Sequence, residues 1–94
     1  MEKKEMKLSI GQINKMKHAI GLNVSRPDSK KRYVAYRNFY DAGENPNKEW
    51  EELVEFKLAT RRYSNISKSI IYHVSKEGLL YLSDLLGISI IYED

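Results

Sequence analysis

Apolar positions along this chain change their period several times, and each change predicts an element. Ile13, Met16 and Ile20 recur at helical spacing with Ala19 beside them, which predicts a first amphipathic helix. Ser9 and Gln12 stand at the S-x-x-Q spacing in which each side chain satisfies the other residue's free backbone N–H. Leu8 and Ile13 bracket that pair as a hydrophobic staple, and Gly21 offers a left-handed stop. The next stretch, LNVSRPDSKKR, has no apolar period and reads as an exposed loop. Within YVAYRNFYD, residues 33 to 41, Tyr33, Tyr36, Arg37 and Tyr40 fit a helical face, whereas the β-branched and aromatic content favours a strand. The strand is the reading preferred for this segment.

Gly43 and Asn45-Pro46 predict a turn, and Asn47 is a good cap for a second helix. Trp50, Leu53, Val54 and Leu58 fall on one stripe of that helix, which should face the core. The runs ATRRYS (59–64) and SIIYHVS (69–75), joined by residues 65 to 68, predict a hairpin, with Ile70, Tyr72 and Val74 on its buried side. Ser75 then caps a third helix with an apolar seam of Leu79, Leu82 and Leu86 that ends at Gly87. The tail ISIIY, 88 to 92, suits a short last strand.

With 94 residues, 41% of them hydrophobic and 31% charged, the chain is expected to form one small domain, residues 1–94, with a modest core. It has no cysteine, so apolar packing rather than disulfides or thiolate metal sites must hold it, and a reducing cytoplasm suits it. Its longest apolar stretch, 79 to 92, is interrupted by serines, Asp84 and Gly87, well short of the roughly 20 residues of a membrane span. Nor does the N-terminus carry the apolar core of a signal peptide.

The net charge of +3 is unevenly laid out. Residues 1–40 are net +7, 41–58 net −4, 59–76 net +4 with no acid, and 77–94 net −4 with no base. Such blocks make local fields able to steer a charged partner.

Helix, strand, basic turn, strand and capped helix follow in order through the second half. Leu53-Val54-Glu55-Phe56-Lys57-Leu58-Ala59-Thr60-Arg61-Arg62, followed by Tyr72-His73-Val74-Ser75-Lys76-Glu77-Gly78-Leu79, resembles the winged-helix domains of bacterial transcription regulators, with Ser75 and Gly78 matching the capped third helix. With Tyr36-Arg37-Asn38-Phe39-Tyr40 and Trp50-Glu51-Glu52-Leu53-Val54-Glu55 added, the whole chain is similar to small winged-helix-like proteins of phages and prophages. The resemblance implies an α+β, winged-helix-like fold, with three helices packed on a small antiparallel sheet and a basic hairpin as the wing. It also implies a binding protein, without enzymatic activity or cofactor, in the cytoplasm of a bacterial host.

Two departures from the superfamily pattern bear on function. Lys57 stands where those regulators usually have a glycine just past the helix, and a left-handed lysine is strained, so a different helix end is expected. The second helix's outer face would present Lys48, Glu49, Glu51, Glu52, Glu55 and Phe56, and glutamates are repelled by phosphates spaced about one charge per 1.7 Å. The turn before it is acidic too, with Asp41 and Glu44, and no clear helix precedes that turn to complete a helix-turn-helix.

What remains for double-stranded DNA is a wing-first mode, in which Arg61, Arg62 and Lys68 project together from the hairpin tip to track phosphates. Tyr63 and Asn65 would add hydrogen bonds, and Arg26, Lys30, Lys31 and Arg32 of the earlier loop would extend the surface. The plain alternative is that these are solubilising charges on an ordinary hairpin. The functional alternative is a host or phage protein partner, met by Glu49, Glu52, Glu55 and Phe56, with Phe56 either an anchor amid a charged rim or folded against the hairpin. A chain of that kind would regulate phage gene expression or inhibit a host defence complex.

Other chemistry is poorly supported. His18 and His73 lie on different elements, and there is no cysteine nucleophile, glycine-rich phosphate loop or H-E-x-x-H spacing. No helix joins a basic face to a large apolar face, which argues against membrane binding. Tyrosines 33, 36, 40, 72 and 81 suit core lining with a surface hydroxyl better than base stacking, and Arg37 is expected to pin the strand to Glu51 or Glu55. Oligomeric state stays open, a dimer included.

Overall fold

The computed structural model describes residues 7–22 and 26–92, so residues 23–25 of the expected loop lie outside the described residues. Helix α1 (Ile10–Ala19) starts as its spacing predicts: the Ser9 hydroxyl accepts from the Gln12 N–H at 3.0 Å, and the Gln12 side chain accepts from the Ser9 N–H at 2.9 Å. Its other end stops, as expected, at left-handed Gly21 (φ 82°), with the Gly21 N–H on the His18 carbonyl at 3.1 Å and the Leu22 N–H on the Lys17 carbonyl at 2.9 Å. The Arg37 guanidinium also donates to the His18 carbonyl, at 2.8 and 3.3 Å. Arg37 therefore does not reach Glu51 or Glu55 as expected; a carbonyl in the last turn of α1 holds it instead.

Residues 33–41 fold as two short strands rather than one. Strand β1 (Arg32–Ala35) turns Tyr33 and Ala35 inward, and β2 (Tyr40–Asp41) belongs to a different sheet. Between them Asn38 acts as a side-chain strand: its amide donates to the Val74 carbonyl and accepts from the Val74 N–H, both at 2.8 Å. Tyr33 lines the core and donates its hydroxyl to the Ile20 carbonyl at 2.9 Å. Tyr36, expected beside it, is exposed, because the chain bends at that residue on leaving β1.

Helix α2 (Lys48–Glu55) is capped by the Asn47 side chain, which accepts from the Trp50 N–H at 3.0 Å. Trp50 and Leu53 are fully buried, while Val54 is half-buried at the edge of the stripe. The helix ends with Lys57 at φ 64°, the Lys57 N–H on the Val54 carbonyl and the Leu58 N–H on the Leu53 carbonyl. That is the paired-bond ending normally built with glycine, so the strained lysine conformation is kept rather than avoided.

Strands β3 (Ala59–Ser64) and β4 (Ser69–Val74) form the expected antiparallel hairpin, with Arg61 opposite Tyr72 and Arg62 opposite Ile71. Helix α3 (Lys76–Leu86) follows, capped by Ser75, whose hydroxyl accepts from the Gly78 N–H at 3.0 Å and donates to the Lys57 carbonyl at 2.7 Å. A Cβ on Gly78 would overlap the Leu58 carbonyl oxygen, which is why the third helix approaches the hairpin's root so closely. Gly87 ends α3 in the left-handed conformation. Strand β5 (Ser89–Tyr92) completes the chain.

The result is an α+β arrangement of three helices with two sheets. One is antiparallel in the order β2-β4-β3; the other is a parallel pair, β1 with β5, in the register Val34 to Ile91. The expectation of a single small antiparallel sheet is corrected by that pair. Periodicity announces a strand at 88–92 but not its partner, and β5 returns from α3 alongside β1. The core joins both halves: Trp50 stacks on Tyr72 at 5.4 Å and lies 5.4 Å from Tyr40, with Met16, Ile20, Leu53 and Leu82 fully buried around them. No helix among the described residues is long and apolar enough to cross a membrane.

Candidate nucleic-acid interface

Strand alternation decides which hairpin cations are available. Arg61 and Arg62 are neighbours in β3, so their side chains leave opposite faces of the sheet, and neither stands at the turn. The expected trio at the tip is corrected accordingly, since residues 65–68 form the turn and of the three only Lys68 lies there. Lys68 is exposed, with φ 57°.

Arg61 leaves on the face that carries Tyr72 and is held by α2. Its Nη1 lies 2.6 Å from Glu51 Oε1, and Glu51 Oε2 accepts from the Tyr72 hydroxyl, also at 2.6 Å. The same hydroxyl accepts from the Asn47 N–H at 3.0 Å, so one phenol links the start of α2 to its carboxylate and, through it, to the hairpin. The Tyr72 hydrogen bond, helped by Arg61, holds the Glu51 carboxyl below the usual carboxylate range. Burial, with Glu51 beside it, pushes the Tyr72 phenol up. Arg61 is a fastener between α2 and β3.

Arg62 leaves on the opposite face, with its Nε 3.3 Å from His73 Nε2. His73 in turn sits with Nδ1 2.7 Å from the Asn38 carbonyl, which fixes its ring beneath the guanidinium. From Arg62 the exposed surface continues through Tyr63, Asn65, Ile66 and Ser67 to Lys68, with only Ser64 half-buried. This stretch carries no acid.

The second basic group lies on the other sheet. Asp28 staples the turn that leads into β1: its carboxylate accepts from the Lys30 N–H at 2.8 Å, the Arg32 N–H at 2.9 Å and the Arg32 Nε at 3.1 Å. The Arg32 backbone N–H, with help from Lys30 and the guanidinium, keeps the Asp28 carboxyl below its ordinary range. Arg32 is thus spoken for, while Arg26, Lys30 and Lys31 are exposed. The structure brings Lys30, Lys31 and Arg32 together, and joins them to β5 rather than to the hairpin.

The acidic face expected to meet a protein is largely used internally. Glu49 pairs with Lys15 at 3.7 Å, and Glu52 accepts from the buried Gln12 side chain at 2.8 Å. Phe56 is half-buried against the core and makes the helix cap, so of its two expected places it takes the packed one rather than that of an exposed anchor. Glu55 is exposed. Sequence reasoning missed the Glu51–Tyr72 bond and the Asn38 bridge, whose partners lie 21 and 36 residues apart and leave no local signal. Compared with protein-family models, with curated proteins and with solved structures, the chain matches none.

Proposed function

We propose that this chain is a non-enzymatic binding module that contacts the phosphates of duplex DNA through the distal half and the tip of its β3–β4 hairpin. Arg62 and Lys68 supply the charge, and Tyr63 and Asn65 supply hydrogen bonds. The observation that carries the reading is the acid-free exposed run from Arg62 to Lys68, set apart from the α2 glutamates because Arg61 already neutralises the nearest of them. Exposed cations without carboxylate partners release counterions from DNA, whereas a paired arginine has already lost much of that capacity.

The order β2-β4-β3, with α2 before the hairpin and capped α3 after it, supports a winged-helix reading of this half. The segment from 42 to 47 is a turn where a helix-turn-helix would place another helix, so groove insertion by α2 is not part of the proposal. Lys30, Lys31 and Arg26 form a second, accessory contact. A cytoplasmic place of work in a bacterial host fits this function.

Anisotropy of a labelled random duplex, titrated with protein at several salt concentrations, tests the reading. The proposal expects binding that weakens steeply with salt, and a double Arg62→Ala, Lys68→Ala variant whose salt slope is shallower by about 2. An unmodified protein that leaves the duplex free at low salt would falsify it.

A further inference from the structure

We infer that copies of this chain associate head to tail, the hairpin tip of one seated on the outer face of α3 of the next. Ile66, at the centre of the turn, is 97% exposed, and Tyr63 beside it is 56% exposed. Lys68 closes the same turn, and Arg62 leaves the sheet face opposite Tyr63, so the tip is an apolar point bordered by cations.

Helix α3 offers the opposite. Its inward side carries Gly78, Leu79, Tyr81, Leu82, Ser83 and Leu86; its exposed residues are Lys76, Glu77, Leu80, Asp84 and Leu85. Leu80 is 61% and Leu85 50% exposed, an arrangement that an amphipathic surface helix normally avoids. Glu77 and Asp84 form no ion pair with any described residue, and exposed Lys76 lies one turn before Leu80.

A face of leucines rimmed by carboxylates calls for an occupant that is apolar at its centre and cationic at its edge. The chain's own hairpin has that composition: residues 59–75 carry Arg61, Arg62 and Lys68 and no acid, whereas the exposed side of α3 carries Glu77 and Asp84 against Lys76. The two surfaces follow one another along the chain on different elements, so the contact is heterologous, each copy giving its tip and receiving another's. A single finger on a helix buries little area, which sets the association in the weak class. Duplex DNA and a second copy compete for the hairpin, so DNA should disperse the assemblies.

The test is made on full-length protein freed of nucleic acid, which keeps it separate from the duplex-binding proposal. Sedimentation velocity should show mass rising with concentration for the unmodified chain. Ile66→Glu and Leu80→Glu, both at exposed positions and checked for native circular dichroism, should each weaken self-association by about tenfold or more. Mixed in equal amounts they should form a one-to-one dimer, because the first keeps an intact α3 face and the second an intact tip. The charge-reversed chains Lys68→Glu and Asp84→Lys should each associate less alone, and mixed they should again gain mass with concentration, because both of their contacts are then complementary. An unmodified protein that stays monomeric at about millimolar concentration overturns the inference. So does a mixture that fails to restore the dimer, or loss of association with Leu80→Glu alone, which would indicate paired α3 faces.

Discussion

Removing the Tyr72 hydroxyl, as Tyr72→Phe, cuts one atom out of the network that joins α2 to the hairpin while leaving the ring stacked on Trp50. Two consequences add. The bond to the Glu51 carboxylate is lost, worth about 1.5–3 kcal/mol for a hydrogen bond to a charged group, and the half-buried Asn47 N–H loses its acceptor, worth about 1–3 kcal/mol. Water can reach part of this site, so the expected destabilisation is about 3 kcal/mol, lowering Tm by roughly 12–24 °C for a domain of this size. Arg61→Ala removes an exposed ion pair and should cost no more than about 1 kcal/mol. Urea unfolding followed by tryptophan fluorescence measures both. The pH dependence gives a second reading. Because Glu51 titrates below its ordinary value in the folded chain, its contribution is fully present above that value and is lost as pH falls through the depressed one. Tyr72→Phe removes the main cause of the depression, so its stability should fall less on acidification than that of the unmodified chain. A Tyr72→Phe protein within about 0.5 kcal/mol of the original, or an Arg61→Ala protein destabilised as much as Tyr72→Phe, would refute the reasoning.

Three further substitutions probe the frame that carries the hairpin. Lys57→Gly relieves a left-handed side chain but frees the unfolded backbone, for a net stabilisation of about 0.5–1 kcal/mol in the same urea assay. Gly78→Ala forces α3 away from the Leu58 carbonyl and should cost about 1–3 kcal/mol, seen as a lower midpoint at unchanged slope. Asn38→Ala leaves both backbone groups of Val74 without partners, and should cost about 2–4 kcal/mol while speeding hydrogen exchange at the Val74 amide.

The elements whose cause lies within a few residues were legible in the sequence. The Ser9–Gln12 box, the Asn47 and Ser75 caps, and the alternation that makes 59–75 a hairpin all act locally, and all are present. Partners set by long-range return were not. The parallel seat of β5 on β1 depends on where α3 delivers the chain, and the split of 33–41 depends on Asn38 bonding to a strand 36 residues away. The candidate site follows the same division. Arg62, Lys68, Tyr63 and Asn65 are exposed as their polarity suggested, yet only the folded register reveals that Arg61 faces Glu51. Between an exposed anchor and a packed residue Phe56 takes the second place: it keeps helical backbone angles three residues after buried Leu53, at the edge of the inward face, and packs on the core.

The division of labour within the hairpin is tested most directly by the salt slope of duplex affinity, the change of log K with log salt, measured for three single variants side by side. Arg62→Ala and Lys68→Ala should each flatten the slope by about one unit, while Arg61→Ala leaves it essentially unchanged. Equal flattening by all three, or a loss confined to Arg61→Ala, would contradict the account.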